Sequence, residues 1–235
     1  MLDHPGSTSG SGKASRRGFL RLSGLGIAAV GLTAHDLRMA TAMAQGMGAT
    51  TTAGGAVDLG AGDTGVLNYA YALEQLEAAF YSTVVDSPYA GMPASERDIL
   101  ADIRDHEIAH REFFKAALGG NRIPDLAVNF SAIDFTSRAS VLGTAKVFED
   151  LGVAAYNGGG AAISDPNYLL LAGKIVSVEA RHAAIIATLL NPGGTEFAGD
   201  DLINPLGLER ALPPSEVLPQ AAPFIATPIS ASQLP

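Results

Sequence analysis

The chain contains one pattern of acidic, aromatic and basic residues twice. The first copy consists of Glu74, Tyr81, Glu107 and His110. The second copy consists of Glu149, Tyr156, Glu179 and His182. In each copy a Glu precedes a Tyr by seven residues, and that Glu precedes a Glu-x-x-His pair by 33 residues in the first copy and 30 in the second. Four carboxylates and two imidazoles are the ligands that a pair of metal ions needs.

The spacing of each Glu-x-x-His pair places both side chains on one face of an α-helix. Each pair can therefore offer one oxygen and one nitrogen to the same point, and Glu74 and Glu149 can add bridging or terminal oxygens from two other helices. Two divalent ions would neutralise four carboxylates that could not otherwise stay ionised when buried. The alternative is that both pairs are solvated surface pairs, but their apolar neighbours argue against it.

Three further polar residues near the ligands have no counterpart in the other copy, namely Glu77, His106 and Glu112. The equivalent positions hold Gly152, Val178 and Ala184. We therefore predict that these three lie at the surface or behind the ligands rather than among them. Two roles stay open for the two tyrosines, which could hydrogen-bond a ligand or pack in the core.

The N-terminal segment predicts export. Paired arginines, Arg16 and Arg17, precede Phe-Leu, a short apolar run and the small-residue site Ala42-Met43-Ala44. This arrangement is typical of a twin-arginine signal peptide, which carries proteins across the membrane already folded. We predict that residues 1–44 are removed and that the protein is periplasmic or extracellular.

Composition excludes several classes of partner and site. Without residues 1–44 the chain keeps 10 basic and 22 acidic residues, a net charge of −12. So acidic a protein is not expected to bind nucleic acid or, after processing, a membrane. The absence of cysteine excludes disulfides, iron–sulfur clusters and thiolate metal sites. The expected partners are metal ions or a small oxidant, and a homo-oligomer is left open.

Periodicity and capping signals predict an all-α fold. The first two helices are expected from Asp63 or Thr64 to about 85, and over 95–118 with a capping arrangement of Ser95 and Asp98. The other two are expected over about 137–156, ended by glycines 158–160, and from an Asp165 cap with Pro166 to 190. We predict a flexible leader over 45–62, a four-helix bundle over 63–190 with one long crossover between helices 2 and 3, and an irregular proline-rich tail over 191–235.

Four segments of this bundle resemble the ferritin-like domain family of exported bacterial proteins, which includes desiccation-related proteins. These segments are Leu73–Tyr81, Glu107–His110, Phe148–Tyr156 and Val178–Ala184. The resemblance covers about residues 63–190 and implies a four-helix bundle with a di-iron or di-manganese centre. Its implied ligands are the six residues selected by the repeat: Glu74, Glu107, His110, Glu149, Glu179 and His182.

The wider superfamily includes ferroxidases, rubrerythrin-like peroxidases and manganese catalases. The resemblance therefore implies two Fe or Mn ions per chain and redox chemistry on peroxide or dioxygen. A non-catalytic metal-binding or stress-protection protein is the alternative, and a metal-free bundle in which the Glu–His pairs hold the core together is a third. The cysteine-free sequence excludes a rubredoxin-type centre, and the leader and tail argue against a ferritin storage cage.

Overall fold

Four long helices form the body of the protein, in a computed structural model that describes residue 52 and residues 54–235. They are α1 (Gly62–Asp86), α2 (Ala94–Leu118), α3 (Arg138–Gly160) and α4 (Pro166–Leu190). Helix α1 packs mainly on α2 and α3 on α4, while α1 also contacts α3 and α2 contacts α4. The predicted all-α four-helix bundle is confirmed. Across the described residues, no helix has the length and apolarity needed to cross a membrane.

The long connection between α2 and α3 runs along α1. At its beginning, the buried Asn68 side chain donates to the backbone carbonyl of Asn121 (3.0 Å) and accepts from the backbone N–H of Ile123 (2.9 Å). Further along α1, Gln75 accepts from the backbone N–H of Leu126 (2.7 Å). Residues later in the connection therefore contact residues later in α1. A crossover that travels the length of the bundle requires this order of contacts.

The C-terminal segment is more regular than the sequence predicts. It contains a short helix, α5 (Pro214–Ala221), which packs against α3. It also supplies a two-residue strand β2 (Ile229–Ser230) that pairs in parallel with β1 (Val57–Asp58) in the predicted leader. Leu59, which follows β1, is fully buried. The predicted signal peptide, together with residues 45–51 and 53 of the predicted leader, lies outside the described residues.

The predicted end of helix α3, before its glycines, is wrong. The helix continues to Gly160. The reason is a close approach of the tail. A Cβ atom on Gly158 would lie 1.9 Å from the backbone oxygen of Leu212, and the N–H of Leu212 donates to the carbonyl of Ala154 (2.9 Å). The missing side chain lets another backbone lie directly on the helix.

Two predicted helix caps are also wrong. Helix α1 begins at Gly62, so Asp63 lies in its first turn, where its carboxylate accepts from the backbone N–H groups of Ser164 (2.7 Å) and Asp165 (2.9 Å). Helix α2 begins after Pro93 without a side-chain cap. The Asp165 cap of α4 is confirmed, because its side chain accepts from the backbone N–H of Asn167 (2.8 Å).

Candidate metal centre

The bundle brings all six predicted ligands together at its centre. Helices α1 and α3 each contribute one Glu, and α2 and α4 each contribute a Glu-x-x-His pair. None of the four carboxylate side chains is exposed, while the side chains of His110 and His182 are 13% and 5% exposed. The pairs that looked like possible surface pairs are therefore interior groups.

The six residues form two overlapping groups that could each hold an ion. The first group is Glu74, Glu107, His110 and Glu179, and the second is Glu107, Glu149, Glu179 and His182. Within each group the ligand atoms lie within 4.8 Å of one another. Glu107 and Glu179, the glutamates of the two Glu-x-x-His pairs, belong to both groups. Glu74 and His110 serve only the first group, and Glu149 and His182 serve only the second.

The distances between facing atoms suit ligands of a common ion. His110 Nδ1 lies 2.9 Å from Glu179 Oε1 and 3.5 Å from an oxygen of Glu74. His182 Nδ1 lies 2.8 Å from Glu107 Oε1 and 3.5 Å from Glu149 Oε2. Two ligands bound at about 2.1 Å and at right angles around one ion are about 3 Å apart.

Eight buried atoms of the cluster have no hydrogen-bond partner of suitable geometry within the described part of the chain, although His110 Nδ1 and His182 Nδ1 each lie within 3 Å of a carboxylate oxygen. They are one oxygen each of Glu74 and Glu149, both oxygens of Glu107 and of Glu179, and Nδ1 of His110 and of His182. Buried polar atoms are almost always paired, so a concentration of unpaired ones needs an explanation. A pair of cations coordinated by these oxygens and nitrogens would satisfy all eight.

Two tyrosines occupy the remaining oxygens of the outer carboxylates. Tyr81 on α1 donates its hydroxyl hydrogen to Glu149 on α3, and Tyr156 on α3 donates to Glu74 on α1. Each bond crosses from one copy of the pattern to the other. Because each phenol uses one oxygen and leaves the second one facing the cluster, the tyrosines orient the carboxylates rather than merely filling the core.

Burial and mutual charge shift the protonation of the cluster. Burial raises the pKa of Glu149 to about 8 and raises the pKa of Glu74 well above its usual value, in spite of the nearby histidines. Burial alone would raise the pKa of Glu107, but its contacts with His110 and His182 hold it well below its usual value. The same carboxylates raise the pKa of both histidines against the effect of burial. An incoming cation must therefore displace protons.

Glu77, predicted to lie at the surface or behind the ligands, is buried and belongs to neither group. Its side chain is 4% exposed, and burial followed by repulsion from the four cluster carboxylates raises its pKa well above its usual value. A Cβ atom on Gly152, the equivalent position of the other copy, would lie 3.2 Å from Glu77 Oε1. The two equivalent positions face each other, so one large side chain excludes another. The three-residue spacing from Glu74 was the available signal, since it places Glu77 on the same helical face.

The other two unmatched residues have different positions. His106 Nδ1 lies 2.9 Å from His182 Nε2, on the side of that ring opposite the cluster. Burial and the charges of His182 and His110 lower the pKa of His106, which keeps it neutral and able to accept from Nε2–H. This contact favours the tautomer in which His182 Nδ1 carries a free lone pair. Glu112 is exposed and binds Arg111 (2.8 Å).

The sequence profile described as ferritin-like domain matches residues 62–192, more than half of the chain. The chain belongs to the ferritin-like domain family. Its matched region contains the four long helices and all six residues of the two groups. A search of curated proteins found no match. The ferritin-like assignment therefore rests on the family profile, and the bundle and its buried Glu–His cluster agree with it.

We expect Tyr81→Phe and Tyr156→Phe each to weaken binding of one metal ion in this ferritin-like domain by about tenfold to a hundredfold. Each change removes the hydrogen bond that orients one outer carboxylate, Glu149 or Glu74. Calorimetric titration of metal-free protein with Mn(II) measures the effect. Tyr89→Phe is the matched control, since Tyr89 is buried away from the cluster and its hydroxyl has no partner in the described region. An equal loss in the control would contradict a role for these two phenols.

Proposed function

We propose that this protein is an exported dinuclear metal protein that binds two Fe or Mn ions per chain and uses them in redox chemistry on peroxide or dioxygen. One observation carries the proposal: eight unpaired donor atoms converge in two overlapping groups at the centre of a ferritin-like bundle. A surface cluster of acidic groups would be solvated, whereas these carboxylates are fully buried.

The kinds of donor atom support redox-active ions of intermediate hardness. Carboxylate oxygens suit Mn and Mg, imidazole nitrogens suit Fe, Zn and Cu, and thiolates are absent from the sequence. A set of six oxygens and two nitrogens for two ions favours Fe or Mn, which accept both ligand types. Bound Fe or Mn ions would supply one-electron oxidation and reduction of a small oxidant at this place.

The protein's own residues hold and balance the site. Glu107 and Glu179 would be shared by both ions, while Glu74 with His110 and Glu149 with His182 would complete one ion each. The tyrosines keep the outer carboxylates oriented. The buried carboxyl of Glu77, whose raised pKa keeps it neutral, adds no charge to the four carboxylates that the ions neutralise.

Metal content tests the binding part of this proposal. We expect the purified mature protein to hold two Fe or Mn ions per chain by elemental analysis. Glu107→Ala/Glu179→Ala should lose both ions, because both residues belong to both groups. Glu74→Ala and Glu149→Ala should each lose about one, because each belongs to a single group.

Glu112→Ala is the control for these variants, since Glu112 lies on α2 but is exposed. Circular dichroism checks that each variant folds, and removing a buried carboxylate should not unfold the metal-free protein because it relieves repulsion. The proposal would be refuted, and the metal-free bundle favoured, if the protein held fewer than one tightly bound ion per chain and the double variant held the same amount.

Turnover separates an enzyme from a metal-holding protein. We expect the metal-loaded protein to dismutate hydrogen peroxide or to oxidise Fe(II) with dioxygen over many cycles, and the Glu107→Ala/Glu179→Ala variant to lose this activity. The complete burial of the carboxylates favours the alternative, in which the bundle only sequesters ions or protects against stress. Two bound ions without activity toward either oxidant would establish that alternative.

Export is proposed from the sequence alone, on Arg16, Arg17 and the apolar run that follows them. We expect Arg16→Lys/Arg17→Lys to leave the full-length protein in the cytoplasm, since both arginines identify the twin-arginine route. Cell fractionation followed by immunoblotting measures this. Lys13→Arg, a charge-conserving change outside the arginine pair, is the control, and unchanged export of the double variant would refute the proposed route.

A further inference from the structure

The two groups of the cluster match each other in their inner parts. The first position is the place of the ion that Glu74 and His110 would complete, and the second position is that of Glu149 and His182. Each histidine lies within 3 Å of a carboxylate oxygen of the opposite Glu-x-x-His pair, at 2.9 Å in the first position and 2.8 Å in the second. Each outer carboxylate accepts from one tyrosine. These groups alone would bind two ions equally well.

The surroundings of the two histidines differ. His106 Nδ1 lies 2.9 Å from His182 Nε2, and the planes of the two rings are 11° apart. Val178, the equivalent residue on α4, has a hydrocarbon side chain and cannot do the same for His110. The side chain of His110 is also more exposed than that of His182, at 13% against 5%. Only the histidine of the second position is therefore supported from behind.

This support favours metal binding by His182. A histidine that binds an ion through Nδ1 carries its hydrogen on Nε2, so His182 donates and His106 accepts. The bond holds the ring with Nδ1 directed at the cluster and makes that nitrogen a stronger donor of electrons to the ion. The loss of such a partner usually costs about tenfold to a hundredfold in metal affinity.

Glu77 is a second group without a counterpart at the cluster. A Cβ atom on Gly152 would lie 3.2 Å from Glu77 Oε1 and 3.9 Å from Glu179 Oε2. Because Glu179 Oε2 lies 3.7 Å from His182 Nδ1, Glu77 is on the side of the second position. It belongs to neither group, and its effect on the second position must be separated from that of His106 by experiment.

We propose, on the basis of the function proposed above, that the two metal positions are unequal. The second position binds its ion more tightly because His106 supports His182, and the first position binds an ion that exchanges more readily. His106 is thus a positioning residue that acts through His182. A protein of this kind keeps one ion in place and exchanges the other with its surroundings.

Variants that keep a single position test this inequality, because two bound ions repel each other and would obscure it. Glu74→Ala keeps the second position and Glu149→Ala keeps the first. In calorimetric titrations with Mn(II), we expect Glu74→Ala to bind its ion about tenfold to a hundredfold more tightly than Glu149→Ala. Adding His106→Leu should remove the difference by weakening only the Glu74→Ala variant. His106 is exposed, so this change should not unfold the protein.

Two further substitutions serve as controls. His106→Asn should retain the difference in affinity, since its side-chain oxygen can replace Nδ1 as the acceptor. Glu77→Gln retains the size of the side chain and should leave the difference unchanged. A loss of the difference in Glu77→Gln would show that Glu77, not His106, makes the positions unequal.

Nuclear magnetic resonance of protein labelled with ¹⁵N at histidine gives a readout that does not depend on activity. A scalar coupling across the hydrogen bond should join His182 Nε2 to His106 Nδ1, both in metal-free protein and after loading with Zn(II). One equivalent of Zn(II) should shift the Nδ1 signal of His182 before that of His110.

Three results would overturn the inequality and leave the proposed function intact: equal Mn(II) affinity of the two single-position variants, an equal loss in both on adding His106→Leu, or loss of the difference in Glu77→Gln. Wild-type protein that binds neither Mn(II) nor Zn(II) would instead refute the proposed function itself.

Discussion

The structure depends on the burial of four carboxylates at the centre of the bundle. Glu74, Glu107, Glu149 and Glu179 come from four different helices and are fully removed from solvent. Isolated carboxylates cannot remain ionised in such a place, so protons or cations must accompany them. In the metal-free protein the protons are carried by His110 and His182 and by the carboxyls whose pKa values are raised. The same demand for positive charge means that the centre could hold cations. Tyr81, Tyr156 and His106 matter because they orient the carboxylates and the imidazole that would bind them.

Most of the cluster could be predicted from the sequence because helical geometry is local. A Glu-x-x-His pair shares one face of its helix wherever the helix lies, and two such pairs with matching distances to an earlier Glu indicate one centre. The bundle followed from the same periodicity, and the start of α4 from the Asp165 cap. The partners of Tyr81 and Tyr156 could not be predicted in this way, since each lies on a helix about 70 or 80 residues away in sequence.

The features that could not be predicted lie where two distant segments meet. Glu77 was rightly left out of the ligand set, because it belongs to neither group. Its burial against Gly152, which makes room for the glutamate, depends on two helices that are distant in sequence. The glycines near the end of α3 look like a helix terminator in the sequence, but Gly158 accommodates the backbone of Leu212. In both cases the glycine leaves room for a neighbour that is remote in the chain. No local sequence pattern identifies that neighbour.

The parallel pairing of β1 with β2 has a consequence for the order in which the molecule can be assembled. Strand β1 precedes the first ligand of the cluster, whereas β2 comes after the last one. During synthesis the four helices and all six ligands therefore leave the ribosome before β1 can find its partner. The centre can form while the tail is still being made, and joining β1 to β2 is a late step that closes the tail over a bundle already built.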